Sequence, residues 1–286
     1  MTIKRSVPVA TVLLALIAVW YPAAMWLNHD GAVNLADEGT SPRDIWLATL
    51  AQDRPVLPAP HQIAAEVLDG LFGYPATSVH SLVYHAAVTA EAALCGFAIA
   101  IVLGMVLAVG IVHARALDRS VMPWVIASQT IPVLAIAPMV VVVLGNAGFT
   151  GLLPKALIAG WLSFFPVTTA MVTGLRAPDP MQRDLMRTYG ANGVQVLTLL
   201  RWPASMAFLF PSLKVAAALA LVGAIVAELP TGAQAGLGAR LLAGSYYGQT
   251  LQIWAALFTA AGLALLAIGA VDLARAGLIR GRGGRL

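Results

Sequence analysis

The stretch Tyr84-His-Ala-Ala-Val-Thr-Ala-Glu-Ala-Ala-Leu-Cys-Gly-Phe-Ala-Ile-Ala-Ile-Val-Leu-Gly-Met-Val-Leu-Ala-Val-Gly-Ile-Val112 carries a single carboxylate, Glu91, and no lysine or arginine. About 20 apolar residues in a helix cross the ~30 Å hydrocarbon core of a bilayer, so this run reads as a membrane span. Five further runs meet the same test, near Ser6–Leu27, Val121–Leu144, Leu152–Leu175, Met206–Leu229 and Leu251–Leu273. Composition agrees, with 59% of the 286 residues hydrophobic and 10% charged. That is too little charge to cover a soluble surface. The expected fold class is an all-α integral membrane protein with six transmembrane helices.

Charge placement sets the expected orientation. With the N-terminus in the cytoplasm, the inside segments hold Lys4, Arg5, Arg115, Arg119, Arg176, Arg183, Arg187, Arg201, Arg275, Arg280, Arg282 and Arg285. The outside holds Arg43, Arg54, Arg240 and Lys155, and twelve against four selects this orientation by the positive-inside rule. Both termini are then cytoplasmic. The first run is too long for a signal-peptide core, and Tyr21, Pro22 and Trp26 stand where a cleavage site needs small residues, so it reads as a retained helix. The basic residues form no stripe with interleaved aromatics, which argues against nucleic acid. Cys95 is a lone cysteine and the histidines are scattered, so no metal site is expected.

Two connections exceed what a helix hairpin needs. The outer one, His29–Val83, is acidic, with Asp30, Asp37, Glu38, Asp44, Asp53, Glu66 and Asp69. Within it, Leu57-Pro-Ala-Pro-His61 reads as a turn entering a short amphipathic helix over Gln62–Leu71, lying on the membrane interface. The inner connection, 176–205, is the more informative. Ala177-Pro-Asp-Pro180 must end the preceding helix. Helical composition resumes over Met181–Tyr189, stops at Gly190, and a second short helix runs to Trp202-Pro203. No phosphate-binding loop of the Gly-x-x-x-x-Gly-Lys-Ser/Thr type occurs in the chain, so any use of ATP falls to a partner.

This inner connection resembles the signature of the permeases of bacterial binding-protein-dependent ABC importers: a Glu-Ala-Ala triplet, three residues, a glycine, nine residues, then Ile-x-Leu-Pro. The matching frame is Asp184-Leu-Met186, Gly190 and Leu200-Arg-Trp-Pro203, with Thr188-Tyr-Gly-Ala191 similar to the family's Thr-Leu-Gly-Ala. The triplet departs from the pattern, with Asp for Glu and bulkier Leu and Met for the alanines. The resemblance extends over about Leu57–Leu242. Asp118-Arg-Ser-Val-Met-Pro123, Thr130-Ile-Pro132, Ile136-Ala-Pro-Met139, Phe164-Phe-Pro166 and Ala235-Gly-Leu-Gly238 look like the nitrate/sulfonate/taurine branch.

The resemblance implies a type I ABC importer permease fold with cytoplasmic coupling helices, spread over residues 57–275. An N-terminal helix and the start of the outer segment (1–56) precede it, and a basic tail (276–286) follows. It further implies a non-catalytic subunit without a cofactor of its own, ATP and Mg being bound by a partner ATP-binding cassette ATPase. A solute-binding protein outside, membrane lipid and a second copy of the chain complete the expected partners. Asp184, Leu185, Met186, Arg187, Tyr189, Gly190, Ala191, Leu200 and Pro203 become the expected ATPase-coupling residues.

Polar groups inside spans are the candidates for a solute path, because a charge at a helix centre costs roughly 2.5–3.5 kcal/mol. Glu91 leads, with either a path-lining role or a helix–helix hydrogen bond. Gln129, Thr130, Trp161, Phe164 and Thr168 are the remaining path candidates. Glu228 and Lys214 lie nearer the ends of the fifth span, where snorkelling reaches water. A glutamate on the path suits neutral or nitrogen-rich solutes, such as a pyrimidine or vitamin precursor, better than strong anions; a sulfonate or taurine-like solute follows only from the branch. The alternative is an ion-gradient-driven secondary transporter, which would show discontinuous helices and inverted repeats. A membrane enzyme is disfavoured, since no catalytic set gathers on one membrane face.

Overall fold

The computed structural model describes residues 3–37, 39–229 and 233–281. Glu38 of the outer connection and the end of the basic tail, with Arg282 and Arg285, lie outside the described residues. Among the described residues the chain is helical, without strands: α1 Ile3–Leu35, α2 Pro42–Ala48, α3 Pro60–Leu68, α4 Leu82–His113, α5 Arg115–Ala127, α6 Val133–Asn146, α7 Leu152–Arg176, α8 Pro180–Thr188, α9 Gly193–Gln195, α10 Trp202–Glu228, α11 Leu237–Tyr246 and α12 Thr250–Gly281. Two compact units divide it, Met1–His85 with Ala239–Thr259, and Ala86–Gly238 with Ala260–Leu286.

In the first unit α1 runs eight residues past the expected end at Leu27. The extension is anchored on one face by Asn28, which is fully buried. Its amide donates to the carbonyls of Leu57 (2.9 Å) and Thr49 (3.2 Å), and its Oδ1 accepts from the Leu57 N–H (3.1 Å). These bonds satisfy backbone groups of the Pro-rich turn that no helix could satisfy. The amphipathic helix expected after that turn begins at Pro60, where the missing proline N–H costs nothing, and continues through a π-helical turn at Asp69–Gly73.

The second unit is built on α7 and α10. Met171, Val172 and Leu175 of α7 interlock with Met206, Leu209 and Phe210 of α10, joined by Ala108 and Ile111 of α4. Small residues set the spacing. A Cβ on Gly223 would lie 2.7 Å from the Ala159 Cα, and one on Gly174 would lie 2.7 Å from the Ser205 Cα. The two backbones therefore touch near both ends, which is how helices gain packing where no hydrophobic effect drives them together. On α4, Gly96, Ala100 and Gly104 stand four apart and offer α7 the same close approach.

Two expectations are corrected here. The third run is not one continuous span: α5 and α6 are separated by a 3-10 turn at Ser128–Thr130 and bent by 103°. Pro132 is the cause, because a residue before proline is driven to extended backbone, and Ile131 has φ −77° and ψ 119°. Among the described residues, five helices are thus long and apolar enough to span, or six if the bent pair counts as one. The second short helix expected after Gly190 is also not separate. It joins α10 through a π-helical turn at Val196–Arg201, and the run Gly193–Glu228 is a single 36-residue element. The wider turn relieves Pro203, whose ring would otherwise meet the carbonyl four residues earlier.

Candidate functional site

The break expected at Ala177–Pro180 is capped on both sides. Asp179 accepts the Met181 N–H (2.8 Å) while its own N–H reaches Gln182 Oε1 (3.2 Å), a capping box that starts α8. At the other end Gly190 takes φ +67°. The Gly190 N–H donates to the Arg187 carbonyl (2.9 Å) and the Ala191 N–H to the Met186 carbonyl (3.0 Å). That pair of bonds is a Schellman motif with glycine at the left-handed position. Asn192 then caps the following helix, accepting from the Gln195 N–H at 2.9 Å. A handle of about two and a half turns is thereby held between two defined corners.

α8 buries none of its residues. Leu185 is 56% exposed and Tyr189 79%. Asp184 and Arg187 pair on the surface at 3.3 Å, and Met186 and Ala191 are half-buried. Leu200 is half-buried and Pro203 exposed, both beside Trp202, which packs on the α7–α10 core. The amphipathic helix thus leaves Leu185 and the adjoining Tyr189 open on its surface.

The path candidates separate into two groups. Glu91 is exposed and has no hydrogen-bond or ion-pair partner among the described residues, on a stripe with Leu94, Ala98 and Val102. Gln129 and Thr130 are exposed at the break of the third span, Thr130 returning its hydroxyl to the Ala127 carbonyl (2.7 Å). Trp161 is 45% exposed and lines a cavity of about 290 Å³ with Ile131 and Ile136. Phe164 and Thr168 are buried instead. Phe164 packs with Ala100 and Val125, and the Thr168 hydroxyl is absorbed by the Phe164 carbonyl at 2.9 Å. Neither reaches an open surface in this conformation.

The most connected polar site lies elsewhere. Glu228, placed at a snorkelling span end from sequence, is fully buried. Both carboxylate oxygens accept from the Thr89 hydroxyl (3.0 Å), Oε2 accepts the Gly238 N–H (2.8 Å), and the Lys155 ammonium stands 3.5 Å from Oε1. Lys155 also donates to the Ala235 carbonyl (3.4 Å), and the Leu237 N–H donates to Thr89 (2.8 Å). Three spans and the Ala235–Gly238 segment are thus tied to one carboxylate. Gly236 and Gly238 are required because a Cβ at either would collide with Glu228. Lys155, counted among outer basic residues from sequence, is a buried ion-pair partner rather than a surface charge. The only sequence signal was the Ala235-Gly-Leu-Gly238 run, whose partner lies 148 positions away at Thr89. A second ion pair inside the spans, Lys214 with Asp272, neutralises both charges.

Several long apolar helices, an exposed capped handle between two of them and ion pairs within the spans define a multi-pass membrane transport protein. One broken helix is present, as the secondary-transporter alternative requires, but no second one occurs among the described residues. Residues 100–280 match the family described as binding-protein-dependent transport system inner membrane component, and the chain belongs to that family, with the type I ABC permease fold. It is 32% identical over 183 residues to the formylaminopyrimidine transport permease protein ThiX of Halalkalibacterium halodurans, covering 64% of this chain and 68% of that one. It is 32% identical over 210 residues to the riboflavin transport system permease protein RibX of Chloroflexus aurantiacus, covering 73% and 74%. A probable ABC transporter permease protein of Haemophilus influenzae is 28% identical over 196 residues, covering 68% and 78%.

Proposed function

We propose that the chain, through residues 57–275, is the membrane-spanning subunit of an ATP-driven importer, working as a homodimer with two ATPase subunits inside and a solute-binding protein outside. The observation that carries this is the handle α8, exposed and cornered by Asp179 and Gly190, in a chain of the binding-protein-dependent family. Asp184, Leu185, Met186, Arg187 and Tyr189 dock into the ATPase, and Gly190, Ala191, Leu200 and Pro203 hold the dock to α10. ATP and Mg belong to the ATPase. The second copy covers the Glu91 stripe, since a carboxylate facing lipid would cost roughly 2.5–3.5 kcal/mol. Glu91, Gln129, Thr130 and Trp161 then line the path between copies. Lipid surrounds the remaining apolar faces.

For the solute we infer a neutral nitrogen heterocycle carrying a pyrimidine ring, the feature shared by the two solutes named for its relatives. The chain alone should show neither ATP hydrolysis nor uptake. Co-expressed with its ATPase and binding protein, it should accumulate labelled formylaminopyrimidine or riboflavin in an ATP-dependent way. Gradient-driven uptake by the chain alone in proteoliposomes would refute the reading.

The distribution of basic residues supports cytoplasmic positions for both termini. Reporter fusions after Asp37 or Ala233 should be active outside, and fusions after Asp118 or Asn192 inside. The reverse pattern would put α8 on the wrong face for an ATPase.

A further inference from the structure

Between the end of α4, one face of α8 and the start of the long fifth-span element lies a cavity of about 470 Å³. Its walls include Val112, His113, Arg183, Arg187, Val196 and Arg201. Three guanidiniums face it against one carboxylate, Asp184, and that carboxylate is engaged by Arg187 at 3.3 Å on the exposed side. His113 adds no negative charge, an imidazole being neutral or cationic, and its Nδ1 is held by the Val109 carbonyl at 2.8 Å.

Arg183 and Arg201 are the informative pair. The Nε of each is buried and has no hydrogen-bond partner among the described residues. A buried charged donor left without an acceptor is unfavourable, and two like charges beside one cavity add repulsion. Helix packing does not explain the arrangement, since neither side chain is held by a carboxylate among the described residues. An oxyanion in the cavity would accept from both forks and offset both charges. Guanidinium forks match phosphate oxygens in pairs, and a phosphate is large enough to be shared between two of them.

We propose that this cavity is a binding site for a phosphate oxyanion, held chiefly by Arg183 and Arg201. Two sources present that chemistry, the headgroup of an anionic phospholipid and free phosphate. The walls suit the headgroup, because Val112, at the end of a 32-residue apolar helix, and Val196, at the start of the fifth-span element, stand beside the cations. Basic pockets between spans at that depth gather anionic lipid. A bound phosphate would join α8 to the ends of α4 and the fifth-span element. This reading rests on the cavity alone and is independent of the ATPase assignment.

The test uses the full-length chain purified in detergent, with phosphatidylglycerol, phosphatidylcholine and inorganic phosphate as probes, read by native mass spectrometry and thermal unfolding. Wild type should retain phosphatidylglycerol at least tenfold more tightly than phosphatidylcholine. Arg183→Gln with Arg201→Gln should abolish that preference, whereas Arg115→Gln with Arg119→Gln, which removes the same charge from exposed positions, should keep it. Stabilisation of wild type by millimolar inorganic phosphate, absent in the Arg183/Arg201 variant, would identify a soluble anion as the occupant of the same site. If the double variant fails to fold, Arg183→Gln alone gives the same comparison, because α8 buries no residue. The proposal is overturned if the cavity variants bind both probes like wild type, or if the exposed-charge control loses as much.

Discussion

Glu228→Ala is expected to lower the stability of the bundle by about 3–5 kcal/mol, the usual consequence of removing one partner from a buried ion pair. Among the described residues the loss has three parts. Lys155 keeps a largely buried ammonium without its carboxylate, the Thr89 hydroxyl loses its acceptor, and the Gly238 N–H is orphaned. Glu228→Gln should fall between, since its carbonyl can still accept from Thr89 and Gly238 while the charge on Lys155 stays uncompensated. The combination Lys155→Met with Glu228→Leu removes both charges together and should recover much of the deficit, as apolar replacements of buried pairs do. Thermal unfolding in detergent and membrane yield read all three. An unfolding temperature for Glu228→Ala within about 2 °C of wild type would mean that the carboxylate holds nothing together.

Gly190→Val is expected to leave membrane levels and stability near wild type and to reduce ATP-coupled uptake tenfold or more. The φ of +67° is one that residues with a Cβ adopt at a cost of about 1–2 kcal/mol, and β-branched ones at the higher end. Space is not the issue, for a Cβ at Gly190 would meet no atom within 4 Å. The strain is purely backbone, and it is relieved by opening the Schellman corner and re-aiming α8. About 1.4 kcal/mol corresponds to a tenfold loss of docking. Gly190→Asn supplies the control, because asparagine tolerates the left-handed region and should retain most uptake. Equal ATPase copurification and equal uptake in the valine variant would end the coupling assignment.

Much of the handle was legible in the sequence, because its determinants are local. Two prolines two residues apart stop a helix whatever surrounds them, and a glycine after Tyr189 marks the opposite corner. The spans were legible for the same reason, each being a property of one continuous run. The third span was misread because Pro132 announces a break without its angle, and a 103° bend depends on what the two halves pack against. The fifth-span element was misread in the other direction: Pro203 looked like a stop, and a wide turn carried the helix through it. Glu228 was hidden altogether. Its partners stand at Thr89, Lys155 and Gly238, and hydropathy places a carboxylate at a helix end without distinguishing water from the interior of a bundle.

The uninterrupted run from Gly193 to Glu228 has a mechanical meaning. Thirty-six residues at 1.5 Å each make a rod about 54 Å long. Its near end adjoins the Schellman corner and its far end carries the buried carboxylate. Tilting such a rod by about 5° about one end sweeps the other through roughly 5 Å, by the same rise per residue. Of the irregularities along it, the wide turn at Val196–Arg201 sits in the half nearer Gly190, and Pro211 falls at the middle of the run. The far half, residues 212–228, contains neither, so a tilt set at the Schellman corner would be carried through that half without loss. The carboxylate's bonds to Thr89 and Gly238 fix that far end to α4 and to the Ala235–Gly238 segment, so a tilt of the rod would have to carry them along or break them.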